Sequence, residues 1–348
     1  MKLKMRIILS SKIREMPFHL DETKVSEFVL KLRESGSKET TIKSYEASLK
    51  RVLNTYEYSP INLVNTEEFV KVINEDGRTN TNKSFSLNTK KLIYATILKY
   101  LAVMGADDEL RAEWDDLYAT IKSEVLEIEK KNELKDGEKE KFMDYDKMRS
   151  QFINYLEEVE YGEEDDTNWD RVMMSDPVGH FLLANLLLLP APTRLGNYRE
   201  MKKIYATVEN YKEKLAEMDE TSNYIVIVKL KTKTMYVYRF ADYKTADAVG
   251  EVVVNVEERL LKRVVGTVAL KPKLWEQVVK ASQPQQTKKL NALTKRVFDK
   301  EFSVDLIRHA YITWLYSNKP TAKQKEEALK IFGNKYNPTT ADLYYRKV

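Results

Sequence analysis

Between Glu127 and Lys141 the chain reads EIEKKNELKDGEKEK, almost wholly charged around a single glycine. Such a stretch can bury almost nothing, so the 348-residue chain cannot run one continuous core through it. The same run would suit the exposed end of a long helix, but its charge density reads more naturally as a boundary. Two bodies are therefore expected, in keeping with typical domain sizes of ~100–200 residues. The organisation predicted is a basic segment 1–20, a helical domain 21–130, a charged linker 131–143 and a second domain 144–348. With 43% hydrophobic residues, each body has enough apolar side chain for a core.

Local patterning is helical up to the linker. Asp21 is placed to cap TKVSEFVLKLRE, and Gly36 to close it. The run from Ser37 puts Ile42, Tyr45, Leu49, Val52 and Leu53 on one helical face. Asn65 followed by Glu68 resembles a capping box. Further helices are expected after Ser86 and over about Asp107–Glu129. Beyond the linker, helices are predicted at about Tyr145–Glu160 and Arg171–Leu189. The pattern then changes: YIVIVKL, KTMYVYRF and VGEVVVNV crowd β-branched and aromatic residues and read as three antiparallel strands. Helical spacing returns afterwards and continues to the end. The fold class expected is mainly α with a small antiparallel β-sheet.

Several chemistries are excluded at once. Without cysteine the chain has no disulfide, thiolate zinc site or cysteine nucleophile, and His19, His180 and His309 lack metal-site spacing on a helix. The N-terminal MKLKMRIILSSKIREM is basic and amphipathic, but its apolar run is short for a secretory signal. Phe181–Leu189 falls well below the ~18 apolar residues of a membrane span. An intracellular setting is expected, with no membrane partner. The net charge of +4 does not by itself identify a polyanionic partner, so charge placement has to.

Four places could do chemistry. LLLLPAPTR drives a greasy segment straight into Arg194. Taken alone, Arg194 is most simply a surface residue after a helix stop. In VDLIRHAYITWLY, helical spacing draws Arg308 towards an apolar core, where a guanidinium needs a carboxylate such as Asp305 or Asp299, or an external phosphate. Lys244 in DYKTADAVG lies in the turn between two strands, the usual place of a solvated lysine. Near the C-terminus, TADLYYRKV holds adjacent tyrosines, Tyr344 and Tyr345, which could pack or act as a nucleophile.

In this order the four places resemble the tyrosine recombinase (site-specific integrase) superfamily. PTRLGNYREMK is similar to the PPRRxxDYxxM variant of recombinases from virophages, large protist viruses and related mobile elements. DYKTADAVGEVVVNV resembles their YKT-turn-strand segment, LIRHAYIT their LRHSYIT box, and TADLYYRK the terminal tyrosine box. The likeness covers about residues 145–348. It implies a tyrosine recombinase catalytic domain behind a helical DNA-clamping domain, with double-stranded DNA as substrate and a homo-tetramer on two sites. Arg194 and Arg308 would hold the scissile phosphate, since planar guanidinium forks match phosphate oxygens and stay charged. Tyr344 would attack phosphorus to give a 3′-phosphotyrosyl bond, with Tyr345 as competitor. Lys244 would protonate the leaving 5′ oxygen. Rejoining by a 5′-hydroxyl then needs no ATP, metal or other cofactor.

The chain departs from the family in two places. Asp305 stands where the family often has a histidine three residues before the second arginine. The later histidine or tryptophan position falls at Asn334 or Lys335, and Lys335, nine residues before Tyr344, has the family's usual separation. His309 would touch the phosphate or simply pack. Basic residues concentrate in the first sixteen positions and around Lys43–Arg51, Lys202–Lys214, Lys229–Lys233 and Lys288–Lys300. The DNA-contacting candidates are Lys43, Lys50, Arg51, Lys202, Lys203, Lys288, Lys289, Lys295 and Arg296. Charge runs like these also serve merely to solvate helices. Two other functions fit the same residues: type IB topoisomerase-like relaxation, and a catalytically inactive DNA-binding protein.

Overall fold

The computed structural model describes residues 18–77, 84–130, 139–161, 167–243 and 246–333. It is mainly helical with a small sheet, and it divides into two compact units, Met1–Lys131 and Asn132–Val348.

In the first unit, short strands β1 (His19–Leu20) and β2 (Ile61–Asn62) pair antiparallel beside five helices: α1 (Glu22–Glu34), α2 (Glu39–Thr55), α3 (Thr66–Glu75), α4 (Leu87–Met104) and α5 (Asp108–Lys130). Their starts are fixed locally. Asp21 accepts the Lys24 N–H at 2.7 Å, and Asn65 and Ser86 accept those of Glu68 and Thr89. Asn65 also donates to the Glu68 carboxylate. Gly36 follows α1 at φ +75°, where a side chain would be strained. The core centres on Phe28, Phe69, Tyr94, Tyr100 and Trp114, whose indole N–H donates to the buried Leu63 carbonyl at 3.0 Å.

In the second unit, the described residues include α6 (Tyr145–Tyr161), α7 (Thr167–Ser175) and α8 (Pro177–Leu188). The single helix expected over Arg171–Leu189 is thus two. Pro177 lacks the N–H that a helix interior needs, and the Asp176 carboxylate accepts the Gly179 N–H, so a new helix starts there. Every residue of α8 is buried. A 3₁₀ turn (Leu195–Tyr198) leads to β3 (Lys202–Thr207), α9 (Tyr211–Ala216), β4 (Tyr224–Lys229), β5 (Thr234–Phe240), α10 (Ala246–Val249) and β6 (Val252–Asn255). Helices α11 (Arg259–Leu270), α12 (Pro272–Lys280), α13 (Gln283–Phe298), α14 (Val304–Ser317) and α15 (Ala322–Ile331) complete the described chain.

The sheet has the order β3-β4-β5-β6. The three expected antiparallel strands are β4, β5 and β6, and β3 adds a fourth, parallel to β4, with α9 in the crossover. Both faces of the sheet are covered. Ile225, Ile227, Tyr236 and Tyr238 join the main helical core, while Tyr224, Val226, Val228 and Val237 pack with Ala206 and Met218 on the other side. That two-sided burial is why YIVIV, Tyr224 to Val228, reads as an unbroken apolar run.

Candidate active site

The segment that bears Arg194 leaves α8 under tight restraint. The last carbonyls of a helix lack partners within it. Here the Tyr145 hydroxyl lies 3.2 Å from those of both Leu186 and Leu187, and the Tyr311 hydroxyl donates to the Pro190 carbonyl at 2.9 Å. Burial pushes both phenols well above the usual tyrosine range, so they stay protonated donors. Three residues on, Thr193 shares a 2.6 Å hydroxyl bond across the turn with Tyr198, both fully buried. Arg194 sits between them, half-buried, with its carbonyl accepting the Asn197 N–H at 3.1 Å.

Arg308 comes from α14, which starts where Ser303 accepts the Leu306 N–H. As its spacing predicts, Arg308 points inward and is only 2% exposed. It donates to the Phe332 carbonyl at 2.9 Å, and its guanidinium carbon lies 3.6 Å from the centroid of the Phe332 ring. The Phe332 ring also stacks on Tyr311, centroids 6.3 Å apart, and Tyr311 meets Tyr145 edge-on at 5.1 Å. One buried cluster therefore joins the helix of Arg308, the segment entering Arg194 and the end of the described chain. Asp305 is exposed in the first turn of α14, where a carboxylate suits the helix dipole, and His309 is half-buried. Asp299, the other acid considered for Arg308, is paired with Lys295 at 2.7 Å.

The sheet side of the site is organised by a residue that the sequence did not single out. Asn223, 5% exposed, accepts the N–H groups of Ala241 and Asp242, both at 2.8 Å. Its amide donates to the carbonyls of Asp242 at 2.7 Å and Asn197 at 3.0 Å. The Tyr243 hydroxyl then donates to the Gly250 carbonyl across the β5–β6 connection. Tyr145 and Tyr311 likewise gave no sequence signal beyond aromatic packing, because their hydroxyl partners lie 41 and 121 residues away. Lys244, Lys335, Tyr344 and Tyr345 lie outside the described residues.

The basic candidates fall into two groups. Lys50 pairs with Glu46 and Lys202 with Asp219, both at 2.7 Å, and Lys289 lies 3.6 Å from Asp176. Lys295 caps its own helix end through the Asp299 carbonyl and carboxylate. Lys203 donates to the Ala269 carbonyl over the Trp275 ring, and burial lowers its pKa. Arg296 donates to the Tyr155 hydroxyl and the His180 ring, both at 3.1 Å. By contrast Lys43, Arg51 and Lys288 are exposed and make no ion pair with an acid among the described residues.

His180 itself is fully buried. Its Nδ1 lies 2.7 Å from the Asp176 carbonyl, which can only accept, so the ring is protonated there and Nε2 accepts from Tyr155 at 2.9 Å. Burial lowers its pKa to about 4, and the Arg296 charge acts in the same direction. This is a structural histidine joining α6, α8 and α13. Among the described residues no three His, Asp or Glu side chains are grouped to hold a metal, and no helix is long and apolar enough to cross a membrane.

No family model matches the chain, and no curated protein does. Among solved structures it is similar to one described as the crystal structure of XerA recombinase, with 12% identity, 94% of each chain covered and a TM-score of 0.35. A likeness that slight assigns no activity.

Proposed function

We propose that the chain is a tyrosine recombinase that cuts and rejoins double-stranded DNA through a 3′-phosphotyrosyl intermediate. The observation that carries this reading is the Tyr311–Pro190 bond, which ties the helix of Arg308 to the segment of Arg194 although 114 residues separate the two arginines. Two guanidiniums supplied from one buried framework suit the pentacoordinate phosphorus, whose added negative charge they would stabilise without reorganising. Tyr344, with Tyr345 as the alternative, would supply the attacking oxygen, and Lys244 the proton for the leaving 5′-hydroxyl. Asp305 and His309 lie near Arg308 in the sequence, and Lys335 would take the role of the family's later histidine or tryptophan. Arg51, Lys43 and Lys288 would track the DNA backbone, and four copies would act on two duplexes.

Trapping tests it. A 5′-labelled pool of nicked duplexes with a randomised centre is incubated with the protein and resolved under denaturing conditions. A covalent adduct that Tyr344→Phe or Tyr345→Phe abolishes supports the reading and identifies the nucleophile. DNA binding without an adduct supports the second reading, an inactive DNA-binding protein, which the burial of Arg308 against Phe332 favours. Joining of separate duplexes, as opposed to relaxation of supercoils alone, distinguishes recombination from topoisomerase action.

A further inference from the structure

We infer that Asn223 is a positioning residue for strand cleavage, fixing the Arg194 turn and the strand end that runs into Lys244 at a set separation. The inference rests on the functional reading above. A carboxamide has two donor hydrogens and two acceptor lone pairs. All four are used here, two on the N–H groups of Ala241 and Asp242 and two on the carbonyls of Asp242 and Asn197. These partners also fix which way the amide faces, since its oxygen meets only donors and its nitrogen only acceptors. The backbone is held too, because the Asn223 carbonyl accepts the Lys202 N–H at 2.9 Å. A buried, fully satisfied polar hub of this kind specifies geometry more than it adds stability.

The two sides of the hub are not equally secured without it. On one side, the Thr193–Tyr198 bond and the Asn197 N–H to Arg194 carbonyl bond hold the arginine turn independently. On the other, Ala241 and Asp242 lie beyond the end of β5 and Asp242 is exposed; the Tyr243–Gly250 bond closes the β5–β6 connection on itself, and the Asn223 amide ties its first residues back to the start of β4. Removing the Asn223 amide should therefore loosen the lysine side first. In cleavage, the tyrosine oxygen bonds phosphorus, the bond from phosphorus to the 5′ oxygen breaks with its electron pair on oxygen, and the Lys244 ammonium gives that oxygen a proton. A sulfur in place of the bridging 5′ oxygen leaves as a stable thiolate and needs no proton.

The test uses the full chain and the cleavage position mapped from the trapped pool. Single-turnover cleavage is measured on DNA with an ordinary phosphodiester and with a 5′-bridging phosphorothiolate at that position. Asn223→Ala should cleave the phosphodiester ~100-fold more slowly than wild type, yet the phosphorothiolate within about threefold of wild type. Asn223→Asp, which keeps the shape and the accepting oxygens, should show the same pattern and carries the test if the alanine variant does not fold. Equal slowing on both substrates, or slowing on neither, overturns the role of Asn223. Wild-type protein that cleaves neither substrate overturns the functional reading itself, a different result from wild-type cleavage with unaffected variants.

Discussion

The hydroxyl of the buried Tyr311 and the carbonyl of the exposed Pro190 meet at 2.9 Å in the second unit, one turn of helix beyond Arg308 and four residues before Arg194. Tyr311→Phe keeps the ring packing on Tyr145 and Phe332 but leaves that carbonyl without this donor. The expected cost is about 1–2 kcal/mol, read as a lower urea midpoint with unchanged slope. Adduct formation should fall with it by about tenfold, because misplacing one guanidinium relative to the other weakens transition-state binding.

Arg308→Lys should be more damaging to chemistry than to charge. A lysine cannot both reach the Phe332 carbonyl and present a planar fork. Cleavage should drop by ~100-fold or more at saturating DNA while DNA affinity stays close to wild type. Loss of affinity matching the loss of rate would instead mark Arg308 as a binding residue.

His180 makes stability pH-dependent in a defined direction. Its folded pKa of about 4 lies below the unfolded value of ~6.5, so the unfolded state binds more protons between them. The contribution is therefore complete above ~6.5 and is lost as pH falls towards 4, at up to about 1.4 kcal/mol per pH unit. Urea midpoints of His180→Gln should be lower at pH 7.5 but fall less steeply than wild type through that window. Equal slopes would show that the histidine does not titrate on unfolding.

The surface lysines should separate by partner. If DNA is bound, Lys43→Ala and Lys288→Ala should each reduce the slope of log K against log salt by up to ~0.9. Lys50→Ala and Lys295→Ala should change it less, because Glu46 and Asp299 already neutralise those charges. Arg296→Ala should act mainly on folding, through the loss of its bonds to Tyr155 and His180.

What could be read from the chain alone was whatever depends on near neighbours. The Asp21, Asn65 and Ser86 caps and the three strands rich in β-branched residues are decided within a few positions. Strand β3 escaped because KKIYAT lies at a sheet edge, where exposed Lys202 and Tyr205 and half-buried Lys203 and Ile204 carry no burial rhythm. The break at Asp176–Pro177 was written in the sequence, but the apolar residues on both sides masked it. At the site, the inward direction of Arg308 followed from helical spacing. Its contact with Phe332, and the hub at Asn223, depend on chain segments that only the fold brings together.

Helix α8 has no wet side: from Pro177 to Leu188 every position is enclosed. A rod walled in all round can neither roll nor slide without tearing the packing that surrounds it. If Arg194 binds a phosphate as proposed, it does so from a base that cannot shift, because α8 beneath it is enclosed and the Tyr145 and Tyr311 hydroxyls hold the carbonyls at its exit.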